Sequence, residues 1–535
     1  MNLAKLGFPF GLTHALVALL LAWSFQGPAL AQGPETPVRG GTAVLAIGGE
    51  PTSLNPDITS GAPELIVGCM IHDGLVRYAE NFRIAPNLAT SWEISPDGLT
   101  YTFKLASAVW HDGKPFTSND VRYTLTEVSA KYGPNFMAAG RAIQAIETPD
   151  PQTVVFKLSK PFGPLLFSLA CEQNAAILPA HLYEGTNVLQ NPVNLQPVGT
   201  GTFKYEDWKR GSHVSLVRNP TYRRVGKPYL DQMIVKLMPD ASGRVLALRA
   251  GEVDYIDQFY FPLSAYTIFA KNPQFQLREQ PFPLDDIIML NVERAPLNNV
   301  KVRQALMTAI DRNYILRNVF FGLGKVSLSA IDTRIDWAYD PSVNYEKMYP
   351  FDPVKAAALL DEAGVKPGAD GVRFTINLVF DTGRAEYIQW AQALQRYWQA
   401  IGVRTVIEGS DRAVALKRVF ADYDFGATLQ TYTTSGDPAL GVSRIYTTES
   451  INNRQVFNNA TRYSNPELDA AVDAGRNAST REERAKFYFE AQKIIARDLP
   501  TLTIHELSQI DAATAKLRNI EGARHIWWDG VWLQR

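Results

Sequence analysis

Cysteine is almost missing from this chain: its 535 residues carry two, Cys69 and Cys171. That excludes a small scaffold stapled by many disulfides, and the two are not spaced as a zinc pair. In an oxidising compartment they are expected to bridge. The plain alternative is two buried thiols that never meet, because spacing along a chain does not establish proximity. An excess of one charge is missing too. Lys+Arg number 53 against 54 Asp+Glu, a net charge of -1, so nucleic acid is not an expected partner. Histidine is scarce, with 7 residues and no H-E-x-x-H or H-x-H among them, which disfavours a zinc hydrolase. G-x-S-x-G is absent, as is S-x-x-K with K-T-G, so serine acyl chemistry has no local signature. Gly322-Leu323-Gly324-Lys325 is a fragment of a phosphate loop without its full spacing, and reads as a turn after the helix that starts at Val300. His111-Asp112 reads as a turn and not as an acid/base pair. Carboxylates are plentiful, yet no spacing singles out a pair, which leaves a glycosidase open. Internal repeats, low-complexity tracts and long linkers are absent.

What is present is globular. Hydrophobic residues make up 46% and charged residues 20%, and a chain of this length is expected to divide into two or three lobes. The start is distinctive. Lys5, an apolar stretch from Leu12 to Phe25 and Ala29-Leu30-Ala31 form the three parts of a secretory signal peptide, with cleavage expected after Ala31. The apolar stretch is shorter than the ~20 residues a membrane span needs, and no later one is long enough. Without a cysteine at the cut site, no lipid anchor is expected. Aromatics reach 11%, including 10 Trp and 22 Tyr, a supply that suits a ligand-enclosing cleft as well as cores.

Along the chain, strands are expected at Gly41 to Ala46, Leu99 to Leu105, Tyr229 to Met238, Phe275 to Arg278 and Asp286 to Val292. Thr117, three residues before Asp120, opens a helix through Leu125. Gly251 ends a helix begun near Gly243. Asn298-Asn299 caps a helix whose apolar face is Val302, Ala305, Leu306, Ala309 and Ile310. Asp352-Pro353 starts another, stopped by Gly364. Phe374 to Phe380, a helix face of Tyr387, Trp390, Leu394, Trp398 and Ile401, and Val403 to Ile407 form a βαβ unit. Thr480 to Glu483 caps the last long helix, which ends before Pro500. The Pro- and Gly-rich stretch from Pro192 to Gly201 is a plausible lobe boundary. The fold class is α/β.

LATSWEISPDGLTYTFKLASAVWHDGKPFTSNDVRYTL, residues 88–125, resembles the signature of the family 5 extracellular solute-binding proteins, the peptide/nickel-type receptors of bacterial ABC importers. Four later blocks resemble the family in order: NPTYRRVGKPYLDQMIVKLMPD (219–240), ALRAGEVDYID (247–257), APLNNVKVRQALMTAIDR (295–312) and YPFDPVKAAALLDEAG (349–364). The resemblance implies a type II, two-lobed binding-protein clamp with an additional third domain. Domain I would comprise 38–75, 196–285 and 500–535; domain II an insertion, 76–195; domain III 286–499. The strand Asp286 to Val292 would lie near the crossover between lobes.

It also implies a ligand in the cleft, no catalytic residue, no cofactor and no resident metal. Ser60-Gly61-Ala62 resembles a cleft-lining loop. Thr431 to Pro438, with Tyr432, Thr434 and Asp437, resembles a second one. Peptide-binding members usually carry an Asp at the place of Thr434, where it pairs with the ligand's α-ammonium. Here either Asp437 takes over or the ligand has no free amine there, since a buried ammonium without a carboxylate is costly. Asp437 reads equally as a turn or cap residue. Arg384 is placed where some dipeptide receptors hold the ligand carboxylate, against the plainer reading of a solvent-facing arginine at a helix start. A periplasmic, monomeric receptor that delivers a peptide or peptide-like solute to an inner-membrane permease is the expectation. The change at Thr434 favours a non-peptide solute such as an opine, a metal chelate or an oligosaccharide. Rivals from other classes are an exported hydrolase and a chemoreceptor adaptor.

Overall fold

The computed structural model describes residues 36–534 except 60, 80–82, 281, 434–435, 452–456 and 521–527, so the expected signal peptide lies outside the described residues. Three sheets dominate the rest, and their residues explain their different pairing. Thr42–Ile47 (TAVLAI) is short, apolar and buried over most of its length, as a strand covered on both faces must be. It pairs in parallel with Gln232–Leu237 on one side and Tyr255–Ile256 on the other. Antiparallel strands extend this to seven, with Phe275–Gln280 at one edge and Phe203–Lys209 at the other.

The second sheet has four antiparallel strands, Ala89–Ile94, Thr100–Leu105, Thr153–Leu158 and Ile143–Asp150. Thr100–Leu105 alternates its burial, turning Tyr101, Phe103 and Leu105 into a core that includes Phe156 and Trp110. The helix that follows begins as expected. The Thr117 amide donates to the Asp120 carboxylate at 2.8 Å. Its α-helical part is Ser118–Tyr123, and a wider π-type turn continues it over Thr124–Ser129.

The third sheet has six strands centred on Leu284–Leu290, whose seven residues are all buried. Phe374–Asp381 and Val403–Ser410 pair in parallel across the helix Ala385–Gln399, the expected βαβ unit. Tyr387, Trp390, Leu394 and Trp398 of that helix are buried, and Trp398 Nε1 donates to the Leu306 carbonyl at 3.2 Å. Truncating such a tryptophan to alanine costs about 3–5 kcal/mol. Caps follow the sequence: Asn299, Asp352 and Thr480 each accept a backbone N–H with the side chain.

One expectation needs correction. The turn at Gly322 to Lys325 does not follow the helix that starts at Val300. That helix ends at Thr308, because Asp311 caps a new one, Arg312–Asn318, by accepting the Tyr314 amide at 2.8 Å. Gly324 is needed there: its φ is +83°, and a Cβ would lie 2.2 Å from the Glu506 carbonyl oxygen.

The seven- and six-stranded sheets share two chain crossings. Phe275–Gln280 runs into Leu284–Leu290, and Thr501–Glu506 runs into Gln509–Thr514. Arg334 ties these crossings together by donating to the carbonyls of Leu284 at 3.1 Å and Leu507 at 3.0 Å. Cys69, on the helix Ala62–Ile71, is bridged to Cys171, at a sequence separation of 102. By loop-closure entropy a bridge over a loop of that size stabilises the fold by about 4–5 kcal/mol. Among the described residues no helix is long and apolar enough to cross a membrane.

Candidate functional site

A cavity of about 560 Å³ opens between the element carrying the four-stranded sheet and the element carrying the six-stranded one. That volume suits a small organic solute. A second cavity, around Asp73 and Arg77, measures about 60 Å³ and is too small for one. One wall of the large cleft is the segment around the helix Met137–Ala142, together with Lys160 and Phe162. The facing wall is the helix Pro438–Tyr446, which presents Ala439, Leu440, Ser443 and Arg444.

The sequence starts this helix firmly. Pro438 occupies the first turn, and Asp437 accepts the Ala439 amide at 2.9 Å. The same carboxylate makes a buried, two-pronged ion pair with Arg484, at 2.9 and 2.6 Å. Arg484 also donates to the Gly475 carbonyl at 2.8 Å and lies 4.9 Å over the Trp337 ring. Gly163, beside the cleft residue Phe162, comes so close that a Cβ there would sit 2.6 Å from the guanidinium carbon. The two walls therefore meet at one end of the cleft, on a satisfied salt bridge.

Arg444 is placed differently. Its Nε is buried without a hydrogen-bond partner, and no described residue forms an ion pair with its guanidinium. It lies 5.9 Å from the centre of the Tyr432 ring. Burial lowers its pKa from the ordinary guanidinium value, opposed only by the Tyr432 hydroxyl.

The residues expected at the ligand are distributed as follows. Ser60 and Thr434 lie outside the described residues. Gly61 is the N-cap of Ala62–Ile71 and packs against the Glu64 carboxylate, while Ala62 lies against the core of the seven-stranded sheet. The Tyr432 side chain is inside the core, only 2% exposed, with its hydroxyl donating to the Asn458 carbonyl at 3.1 Å. It supports the cleft wall from behind. Asp437 is occupied by Arg484 and by the helix it caps. Arg384 precedes the helix Ala385–Gln399 and is half-buried. It donates to the Tyr387 hydroxyl at 3.1 Å and to Thr431 Oγ1, and stands 3.7 Å from Asp286. Asp286 in turn is 3.0 Å from His505 Nδ1. His111 and Asp112 form a structural turn: the Gly199 amide donates to His111 Nδ1, and Asp112 pairs with His181 at 2.8 Å.

Arg141, Lys160, Arg444 and Arg476 line the cleft and were not singled out by sequence reasoning. One signal was available. Arg444 is the single charge in the apolar run Ala439 to Tyr446, where an ordinary core helix would carry none. Groups of three or more His, Cys, Asp or Glu able to hold a metal are absent among the described residues.

The family model for the bacterial extracellular solute-binding proteins, family 5, matches residues 83–454. Heme-binding protein A of Haemophilus influenzae is 31% identical over 443 residues, which span 79% of this chain and 78% of that protein. The oligopeptide-binding protein AppA of Bacillus subtilis, solved with a nonapeptide, superimposes with a TM-score of 0.77 at 25% identity, covering 94% of this chain and 100% of that one. The binding protein AgaA of A. tumefacien R10, solved with agropinic acid, gives 0.76 at 28% identity, covering 92% and 99%. The fold is thus the two-lobed type II clamp of these receptors, with its additional domain. By the match of most of its length to the family model, this chain belongs to the bacterial extracellular solute-binding proteins, family 5.

Proposed function

We propose that this chain is the periplasmic receptor of an ABC importer and captures a small peptide or peptide-like solute in the 560 Å³ cleft for delivery to the inner-membrane permease. The observation that carries this reading is the position of the cleft. Its two walls belong to different sheets, so a ligand that touches both favours the closed arrangement by the difference in its affinity for the two states. The short crossings at Gln280 to Leu284 and Glu506 to Gln509 are the natural hinge. The three-domain division expected from the sequence is supported by the separate sheets, with the discontinuous first domain holding the seven-stranded one. Receptor monomers suffice for this mechanism, and it uses no cofactor.

A non-peptide solute is the second reading, and Asp437 favours it. Its carboxylate is engaged by Arg484, which leaves no obvious partner on that loop for a free α-amine. An opine, a metal chelate or an oligosaccharide fits this reading. Of the residues expected at the ligand, Arg384, Gly61 and Ala62 lie outside the lining of this cleft, and Tyr432 and Asp437 act behind its wall.

A thermal-shift screen of the mature protein against di- to pentapeptides, opines, metal chelates and oligosaccharides tests both readings, because a ligand bound only to the native state raises the melting point. A shift with peptides supports the first reading, and a shift confined to solutes without a free amine supports the second. No shift across every class, together with turnover of peptides or glycans in a product assay, overturns both. Thr434→Asp is expected to raise affinity for free-amine peptides at least several-fold in calorimetry; unchanged binding refutes the assigned role of that loop.

A further inference from the structure

We propose that the solute carries an anionic group and that Arg444 is the residue that binds it. This rests on the cleft being the ligand site and adds the charge class of the ligand.

The argument begins with what surrounds Arg444. Among the described residues, four cations, Arg141, Lys160, Arg444 and Arg476, line the cleft against one carboxylate, Glu449. Glu449 is already paired with Arg476 at 2.8 Å, and Asp473 stands 3.3 Å from the same arginine. Arg476 is thereby neutralised, and the surplus positive charge falls on Arg444 from one wall and on Arg141 and Lys160 from the other. The latter two are exposed and remain solvated. Arg444 is half-buried, with an orphaned Nε and no ion pair among the described residues. Residues 434–435 and 452–456, outside the described residues, contain neither Asp nor Glu, so the sequence supplies no carboxylate from either stretch.

A guanidinium taken partly out of water without an anion is a net cost to the fold. The fold elsewhere avoids that cost: Arg484, at the other end of the same cleft wall, has Asp437. A planar fork of N–H donors facing a cleft matches a carboxylate or a phosphate, which accept two parallel hydrogen bonds. Lys160 and Arg141 would add attraction from the opposite wall as it closes. A neutral or cationic solute would leave the Arg444 cost unrelieved.

The test compares wild type, Arg444→Met and Arg444→Lys by calorimetry and thermal melting. The probes are tetrapeptides with a free or an amidated C-terminus, opine-type conjugates as acid and amide, and inorganic phosphate. In wild type the acid of a pair is expected to bind about 10- to 100-fold tighter than its amide. Arg444→Met should abolish that preference, and Arg444→Lys should retain part of it. Binding of inorganic phosphate but of no organic acid would assign the anion as phosphate. Equal binding of acid and amide in wild type overturns the proposal while leaving the receptor reading intact. If no probe binds at all, the receptor's ligand classes are wrong, and the melting point of the unliganded variants still decides. Arg444→Met should then melt at or above the wild-type temperature, since it removes an uncompensated charge. A melting point lowered by several degrees would mean that Arg444 holds the fold together, and the proposal fails.

Discussion

Asp437 and Arg444 stand at opposite ends of one nine-residue helix, and the fold treats them in opposite ways. Asp437 caps the helix and receives both prongs of Arg484, so both of its carboxylate oxygens are engaged. Arg444, two turns later on the same wall, lies 5.9 Å from the Tyr432 ring centre and has no ion pair among the described residues. The first is a charge the structure has finished with. The second is a charge held in readiness, and the difference separates a residue that builds the cleft from one that acts in it. Asp57 extends the contrast. It is fully buried and accepts from Ser129 Oγ at 2.6 Å and the Ala176 amide at 2.8 Å, but no cation pairs with it among the described residues.

The comparison breaks most visibly at Asp437. Asp437→Ala leaves Arg484 buried without an anion and is expected to cost about 3–5 kcal/mol in urea unfolding. A loss under 1 kcal/mol would show that the pair is not what anchors the helix. Asp57 comes next, through pH. Burial raises its pKa from the ordinary 3.8 to about 7, against the lowering effect of its hydrogen bonds from Ser129 and Ala176. Between those values the folded protein keeps the proton and the unfolded chain does not. Stability should therefore fall as pH rises through that window, by about 1.4 kcal/mol per unit. Asp57→Asn should remove that part of the slope in melting curves taken from pH 4 to 8, and an unchanged slope would rule out Asp57 as its source.

Smaller still is Gly163→Ala. The added methyl group meets the Arg484 guanidinium, and a shift of the Asp437 pair is expected to cost about 1–3 kcal/mol. Chemical denaturation reads the cost, and calorimetry with any solute found in the screen reads whether the walls still meet. The smallest effect belongs to Arg444→Met in the absence of ligand, with stability within about 0.5 kcal/mol of wild type or above it. A near-zero cost here beside a large one at Asp437 would draw the line between the two residues in measured terms.

Local chemistry alone determined a good deal. The alternating strand at Leu99 to Leu105, the caps at Asn299, Asp352 and Thr480, and the βαβ unit from Phe374 to Ile407 follow from rules that act over a few residues, and they survive folding because the tertiary packing agrees with them. The boundary at Asp311 was missed because a second cap closely following a helix resembles its continuation. Pairing across the chain could not be read in this way. Whether Cys69 meets Cys171, or Asp437 meets Arg484 across 47 residues, depends on where the sheets bring distant segments, and no spacing rule encodes that. The loop from Thr431 to Pro438 was singled out by the resemblance of its Gly-Asp-Pro ending to a family loop, and the packing turns its Tyr432 and Asp437 inward. Arg444 stood out in the sequence only as the single charge of an apolar run, which does not say whether it has a partner. Its meaning comes from the lack of a carboxylate beside it among the described residues, and only the tertiary structure decides which charges find partners, because partners come from elsewhere in the chain.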